Sequence, residues 1–390
     1  MTFEFQAGRV RGGEDRDPWW FVLDPILILS VAAITSLGVV LVFSATRGPA
    51  TDLIPADTSF LEKQTFFAIA GAALGVVAAL INIERIRSLV SLGYIGLVVL
   101  LIGVSLFGSN INGAQAWYRF GGFTFQPSEP GKLVLIIGLA TLFSAGEVGV
   151  QRVMAGLALA GLPIGMILLQ PDLGTALVYI VVTAVMITMS HTSMRLIVFL
   201  VLSSAMAITM IFASDVLEDY QKDRLTVFVL DEEAVAELGA DAIRVAYNAE
   251  QSQIAIGNGG LTGTGLFEGT QTSSNLVPEQ QTDFIFSVAG EELGFRGAAI
   301  LLALFALVVL RMWRVAVRAT DEFDRLLAIG VMAMFVFQVF QSAGMTMGMM
   351  PVTGIPMPLV SYGGSSMLTS MIAVGLVLGV HRRRYDYVRQ

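Results

Sequence analysis

The stretch that decides the fold is Val277-Pro-Glu-Gln-Gln-Thr-Asp283-Phe-Ile-Phe-Ser-Val-Ala-Gly-Glu291-Glu-Leu-Gly-Phe295, where a polar segment gives way to an apolar run. If a helix begins at Phe284, then Asp283, Ser287 and Glu291 recur every four residues and form one polar stripe. A carboxylate at a membrane edge is costly unless it is paired or functional. The role of Asp283 therefore depends on whether the chain spans a membrane and whether other residues form a site with it.

The composition is that of an integral membrane protein. Of the 390 residues, 55% are hydrophobic and 14% are charged, and the mean hydropathy is +0.74. A water-soluble domain cannot bury that much apolar surface. The chain contains no cysteine, which excludes disulfides and thiolate catalysis. The chain has only two histidines, His191 and His381, and this small number argues against a histidine metal site and against a Ser-His-Asp triad.

The hydropathy pattern predicts ten transmembrane helices, each close to the ~17–25 residues that cross a bilayer core. The predicted spans are 25–43, 66–83, 89–107, 130–145, 153–169, 173–190, 196–213, 284–310, 326–350 and 360–380. We therefore predict an all-α integral membrane protein with a single polytopic domain over 1–390. A large extracytoplasmic loop, 214–283, separates the seventh and eighth helices.

The basic residues predict the orientation of this bundle. Ten spans place both termini on one side, and fifteen of the 23 Lys and Arg residues fall on that side. The positive-inside rule then makes 1–24 and 381–390 cytoplasmic tails. The large loop is acidic, with thirteen Asp or Glu against three Lys or Arg, and its part 231–256 is predicted to be helical.

Candidate substrate-binding residues gather on the predicted outer face. Lys132 lies near the start of a span. It has three interpretations: a snorkelling lysine, an ion-pair partner of Glu129 one turn earlier, or a cation for a lipid phosphate. Arg119 would supply a second cation, and Trp117 a flat ring for a sugar. Taken alone, Trp117 is more typical of an interfacial aromatic belt.

The remaining acidic candidates also have structural interpretations. Asp172 is placed to cap the helix that starts at Leu173, and Gln170 to join helices by hydrogen bonds. Asp283 is also placed to cap a helix, but a cap leaves Ser287 and Glu291 inside the span unexplained, which favours a functional role for Asp283. Glu291 or Glu292 is better explained as a buried structural carboxylate paired within the bundle.

A glycine-rich run over 257–271 looks superficially like a phosphate-binding loop. It lacks the Lys-Ser or Lys-Thr pair of a P-loop, and no strand is predicted before it. We predict a surface or re-entrant loop instead.

These motifs resemble those of the SEDS family (shape, elongation, division and sporulation), which is typified by RodA and FtsW. The matching residues, in family order, are Gln126-Pro-Ser-Glu129 with Lys132, Gln170-Pro-Asp172-Leu-Gly-Thr-Ala, Pro278-Glu with Thr282-Asp-Phe-Ile-Phe, Glu291-Glu-Leu-Gly, and Met350-Pro-Val-Thr-Gly-Ile-Pro-Met-Pro with Ser361-Tyr-Gly-Gly-Ser-Ser. Two positions depart from the pattern. Gln281 stands where many members have histidine, and Pro130 stands where an aliphatic residue is usual.

The resemblance implies a glycosyltransferase that polymerises lipid II into β-1,4 glycan strands in the bacterial cytoplasmic membrane and releases undecaprenyl diphosphate. Asp283 corresponds to the essential acidic residue of the family. The candidate substrate-binding residues are Trp117, Arg119, Glu129, Lys132, Gln170, Asp172, Glu279 and Ser361. The implied partner is a class B penicillin-binding protein, a transpeptidase, and no nucleic acid is implied. An assisting divalent cation, Mg²⁺ or Mn²⁺, is left open.

Within the family the sequence resembles RodA, because Gly269-Thr-Gln271 follows the glycine run and the chain ends soon after the last span. This favours a role in cell elongation and shape. The alternatives are a division polymerase of the FtsW type, a transporter that flips lipid II, and a scaffold that only recruits a cell-wall synthase.

Overall fold

The computed structural model describes residues 24–48, 56–111, 114–121, 123–213 and 240–387. The predictions for the tail 1–23, for the loop segment 214–239 and for the last residues 388–390 therefore concern positions outside the described residues.

Twelve helices and three short strands follow one another along the described chain. They are α1 (Pro25–Thr46), α2 (Ser59–Leu80), α3 (Ile83–Phe107), β1 (Ser109–Ile111), β2 (Ala114–Phe120), β3 (Phe123–Phe125), α4 (Ser128–Phe143), α5 (Val150–Leu168), α6 (Leu173–Met189), α7 (Met194–Ala213), α8 (Ala240–Gly259), α9 (Thr270–Ser273), α10 (Ile285–Val317), α11 (Glu322–Thr346) and α12 (Gly364–Tyr387).

All of these helices except α8 and α9 overlap the ten predicted spans. Seven are long and apolar enough to cross a bilayer, and α6 and the first part of α7 are shorter apolar helices. The chain is thus an all-α, multi-pass membrane protein. The helix predicted within the large loop is also present in its described part, as α8.

The segment between α3 and α4, predicted only as an outside loop, forms a three-stranded antiparallel sheet in the order β1-β2-β3. Arg119 on β2 pairs with Thr124 on β3. Because strand side chains alternate between faces, Trp117, Arg119 and the directly opposed Thr124 share one face of this sheet.

The bundle is built around α11 and α12. In each of these helices 78% of the apolar window is buried, whereas 17% is buried in α3, whose other apolar side chains face outward as expected beside lipid. Along α12, a Cβ added to Gly375 would lie 2.1 Å from the backbone oxygen of Gly75 on α2. This close approach of small residues is a common way for membrane helices to pack, because lipid provides no hydrophobic force between them.

Two buried ion pairs tie helices together at one end of the bundle. Arg311 of α10 donates from Nε to Asp24 Oδ2 at 2.8 Å, and Asp24 also caps α1 by accepting from Leu27 N. Arg383 of α12 donates from Nε to Asp324 Oδ2 at 3.0 Å on α11. Both carboxylates are almost fully buried, so each is retained with a partner rather than alone.

Helix α10 is broken at Gly294, where φ is 65° and ψ is −170°. The glycine-rich loop fills the break. Thr264 N donates to Glu291 O at 3.0 Å, Gly265 N donates to Glu292 O at 3.1 Å, and Phe295 N donates to Gly260 O at 2.8 Å. The loop predicted from the glycine run therefore has a definite function in the fold, since it replaces the hydrogen bonds that the broken helix loses.

The predicted polar stripe on this helix is wrong, because the helix begins at Ile285 and Asp283 precedes it. Ser287 and Glu291 are fully buried within the bundle. Glu291 accepts hydrogen bonds from Gln271 N at 2.8 Å and Thr272 N at 2.9 Å, at the start of α9. Glu292 accepts from Ser44 on α1, which confirms the structural interpretation of both glutamates.

We predict that Gly294→Ala lowers the stability of the fold by roughly 3 kcal/mol, since its backbone conformation is almost restricted to glycine. An added Cβ would also lie 2.2 Å from the backbone nitrogen of Gly263. Thermal unfolding of the purified protein in detergent measures the loss. The matched control is Gly257→Ala on α8, where a Cβ meets nothing within 4 Å and stability should hold or rise. Equal melting temperatures for both variants would contradict this account of the kink.

Candidate active site

A cavity of about 340 Å³ opens at the end of the bundle opposite the two ion pairs. It is lined at the start of α2 by Phe60, at the start of α6 by Leu173 and at the start of α12 by Gly364. Four carboxylates reach its wall, those of Glu129, Asp172, Glu279 and Asp283. The structure thus brings together four of the acidic residues that the sequence singled out from separate motifs.

Asp283 lies in a tight turn rather than in a helix. The turn begins at Glu279, whose φ is +56°, and both Thr282 N and Phe284 N donate to Glu279 O. The hydroxyl of Thr282 lies 3.1 Å from Glu279 Oε2. The N-cap position of α10 is occupied by Phe284, without any side-chain cap bond. Asp283 therefore lies one residue before the N-cap position, and this half-buried residue lines the cavity.

This turn is fixed by the segment that precedes α12. The hydroxyl of Ser361 donates to Thr282 O at 2.6 Å and accepts from Met357 N at 2.8 Å. Tyr362 N donates to Gln281 O at 2.8 Å. Ser361 is buried and does not line the cavity. Its contacts are those of a residue that positions the turn carrying Asp283.

Asp172 caps a helix and also lines the cavity. Its Oδ1 accepts from Thr175 N at 2.9 Å and so caps α6, which confirms that interpretation. Its Oδ2 accepts from Gln126 Nε2 at 2.8 Å, and both residues line the cavity. Asp172 is thus a fixed acceptor on the cavity wall.

Lys132 is an ion-pair partner and not a snorkelling lysine. Its Nζ lies 2.7 Å from Glu129 Oε1, and both side chains are at most 4% exposed. Glu129 lines the cavity, but Lys132 does not. Of the three interpretations made for Lys132, the structure shows the pair directly.

The other predicted residues lie at different depths. Trp117 lines the cavity from β2. Arg119 is exposed on the same sheet face and does not line it, which places this cation beside the mouth. Gln170 is buried behind the cavity, where its amide donates to Leu101 O and Ser105 Oγ and so joins helices as predicted.

Several cavity residues were not among the predicted site residues. The missed polar residues are Thr124, Gln126, Thr175, Gln281, Thr282, Thr353, Tyr362, Ser365 and Ser366. Most of them belong to the quoted motifs. The sequence therefore contained these residues in recognisable motifs, but it could not show that the motifs line the same cavity. Thr353 Oγ1 is buried without a hydrogen-bond partner, and burial raises the pKa of the Tyr362 phenol above its ordinary value. The Tyr362 hydroxyl therefore stays protonated.

The charge of the wall differs from the sequence expectation. No lysine or arginine lines the cavity within the described residues, although Lys132 and Arg119 were expected to neutralise a diphosphate there. No group of three His, Cys, Asp or Glu side chains that could hold a metal occurs in this part of the chain either. The described wall can accept protons and bind hydroxyls.

Comparison with known proteins identifies the family. A family model described as "Cell cycle protein", covering FtsW, RodA and SpoVE, matches residues 25–386. The chain is 31% identical to the peptidoglycan glycosyltransferase RodA of Treponema pallidum, over 96% of this chain and 100% of that protein. It is 35% identical to the probable peptidoglycan glycosyltransferase FtsW of Geobacter metallireducens, over 92% of this chain and 95% of that protein.

Solved structures agree with this assignment. A chain from a structure described as "Structural coordination of polymerization and crosslinking by a peptidoglycan synthase complex" aligns over 93% of this chain and 99% of its own length, with a TM-score of 0.77 and 31% identity. The rod shape determining protein RodA of Thermus thermophilus aligns over 94% of this chain and 99% of its own, with a TM-score of 0.67 and 31% identity. The chain therefore belongs to the SEDS family of peptidoglycan glycosyltransferases.

Proposed function

We propose that this protein polymerises lipid II into β-1,4 glycan strands at the outer face of the bacterial cytoplasmic membrane during cell elongation, with release of undecaprenyl diphosphate. The observation that carries the proposal is the placement of Asp283. Its carboxylate is on the wall of a cavity at one membrane face, in a turn that two backbone hydrogen bonds and Ser361 hold in place.

We also propose an orientation of the bundle in the membrane. All ten helices that overlap predicted spans cross the membrane, and both termini are cytoplasmic. The positive-inside bias supports this, because the end of the bundle opposite Asp283 carries Arg311 and Arg383. The Asp283 cavity then faces outward, at the depth of the sugars of a lipid-linked substrate.

The reaction needs one base. The 4-hydroxyl oxygen of an N-acetylglucosamine attacks the anomeric carbon of the muramyl sugar on the growing strand. The C–O bond to the diphosphate breaks with its electron pair, and the hydroxyl proton passes to Asp283. One displacement inverts the α-linked donor to a β-linked product. Because diphosphate leaves without a proton, the second carboxylic acid used by glycoside hydrolases is unnecessary.

The remaining wall residues bind and orient the substrate in this scheme. Glu129, Asp172 and Glu279 accept hydrogen bonds from sugar hydroxyls, and Trp117 packs against a sugar face. Arg119, beside the mouth, attracts the diphosphate. Gln170 and Ser361 act through the elements they hold together. No step is assigned to a metal.

Replacing the base tests the central assignment. We expect purified Asp283→Asn to lose glycan synthesis from lipid II by about 10²–10⁴-fold, the range typical of a general base. The measurement is gel analysis of chains made in detergent. The control is Glu268→Gln, an exposed carboxylate near the same face that does not line the cavity, and it should keep the activity.

The same assay separates the rival functions. Detergent offers no second compartment, so a transporter of lipid II produces no chains there, and neither does a scaffold. Chain synthesis that is unaffected by Asp283→Asn would refute the base assignment. Absence of chains with the unaltered protein and its transpeptidase partner would refute the polymerase itself.

The buried ion pair leads to a second expectation. Lys132→Met leaves Glu129 without its cation inside the bundle, which should cost about 3–5 kcal/mol of stability and reduce turnover. Lys132→Met combined with Glu129→Gln removes both charges and should recover most of the melting temperature. A double variant as unstable as the single one would show that Lys132 has contacts beyond this pair.

The elongation role and the partner also belong to the proposal. Identity to RodA- and FtsW-type relatives is similar, so the role rests on the RodA-like Gly269-Thr-Gln271. A class B penicillin-binding protein is the proposed partner, which the synthase-complex neighbour supports.

We expect the gene, expressed with its own transpeptidase, to restore rod shape in a bacterium depleted of RodA. It should fail to restore division after FtsW depletion. Cell length and width under the microscope report both results, and rescue of division alone would assign the protein to septal synthesis.

A further inference from the structure

A second cavity, of about 580 Å³, lies at the other end of the same helices. It is lined by Leu80 at the end of α2 and by Arg382 near the end of α12, whereas Phe60 and Gly364 at the starts of these helices line the Asp283 cavity. A helix of 22 residues such as α2 is about 33 Å long. The two cavities therefore lie at opposite faces of the membrane, and the second takes no part in the proposed reaction.

The charged groups inside this second cavity are unequally neutralised. The charge of Arg383 is neutralised by Asp324, to which Arg383 donates two hydrogen bonds. Arg87 instead stacks over the Phe323 ring at 5.4 Å and lies 3.4 Å from a serine hydroxyl. Arg382 donates to the backbone oxygen of Leu80 at 3.2 Å, and its Nε is buried without an acceptor.

Neither Arg87 nor Arg382 contacts a carboxylate among the residues that the structure describes. Both side chains are only half-exposed, so water neutralises their charge incompletely. The other two carboxylates that line the cavity, Glu84 and Asp321, are exposed at its rim and are screened by solvent. The interior of the cavity is thus positive and suits an anion.

The position of the cavity indicates where the anion comes from. Its walls are the ends of membrane-crossing helices, which is the depth of lipid headgroups. Ile81, a further wall residue, is 39% exposed and supplies apolar surface at the same level. The volume far exceeds that of one water molecule and accommodates a phosphate with its glycerol. Basic pockets between membrane helices bind lipid headgroups in this way.

We propose that Arg87 and Arg382 bind the phosphate of an anionic phospholipid from the leaflet opposite Asp283. Arginine suits this task because its planar fork donates two hydrogen bonds to one phosphate. The lipid would bridge the α2–α3 turn to α12 and so brace the ends of helices whose other ends form the Asp283 cavity.

Native mass spectrometry of the full chain in detergent, titrated with phosphatidylglycerol or phosphatidylcholine, tests the proposal. We expect selective binding of phosphatidylglycerol to the unaltered protein. Arg87→Gln with Arg382→Gln should weaken that binding by at least about tenfold, because each lost contact is a charge-assisted hydrogen bond. Arg314→Gln with Arg318→Gln removes two exposed arginines outside the cavity and should change nothing.

A further pair of variants guards against misfolding. Arg87→Lys with Arg382→Lys keeps both charges and should retain selectivity for phosphatidylglycerol, with circular dichroism and gel filtration confirming the fold of every variant. Equal binding of the two lipids, or unchanged binding by the double glutamine variant, would overturn the proposal. Displacement of the lipid by equimolar inorganic phosphate would assign the site to free phosphate instead of lipid. None of these readouts depends on glycan synthesis.

Discussion

The hydrogen bonds between the glycine-rich loop and the broken helix α10 are the constraint on which the site depends. Inside a membrane an unpaired backbone group is costly, so a helix can break there only if other groups replace the missing bonds. Loop residues 260–265 do this on both sides of Gly294. Glu291 adds a side-chain link by accepting hydrogen bonds at the start of α9. The first part of α10, which follows directly on the Asp283 turn, is thereby fixed to the loop.

Buried carboxylates in the bundle are likewise compensated, either by ion pairs or by hydrogen bonds. The buried carboxylates Asp24, Glu129 and Asp324 each contact a lysine or arginine. Each pair also joins two helices or stiffens one, so the ions are part of the framework. Asp172 is held differently, by a backbone amide and the Gln126 amide, and it remains on the cavity wall as an acceptor. Glu129 and Asp172 are therefore two acids of the Asp283 cavity wall that the framework holds in fixed positions.

The sequence predicted the fold class well and the site unevenly. Each of the ten segments that hydropathy identified overlaps a helix, and seven of those helices are long and apolar enough to cross a bilayer, because length and apolarity are properties that the sequence shows directly. It could not show the small sheet that carries Trp117 and Arg119, since seven-residue and three-residue strands have too weak a pattern. Lys132 illustrates the other limit. Its spacing from Glu129 allowed the pair, but only the fold shows that both groups are buried.

By itself, the sequence determined that this is a polytopic membrane protein of the SEDS family, that no cysteine takes part in its chemistry, and that Asp283 is the leading candidate for the base. The membrane class follows from hydropathy and the absence of thiol chemistry from composition, whereas the family and the role of Asp283 are what the resemblance of the motifs implies; all of these are local properties of the sequence. Only the tertiary structure decided that Asp283 precedes its helix instead of lying on a helical stripe, and that Ser361, 78 residues later in the chain, fixes its turn. It alone placed Asp172 on the cavity wall and Lys132 behind it. These facts depend on contacts between distant segments, and such contacts leave no periodic trace in the sequence.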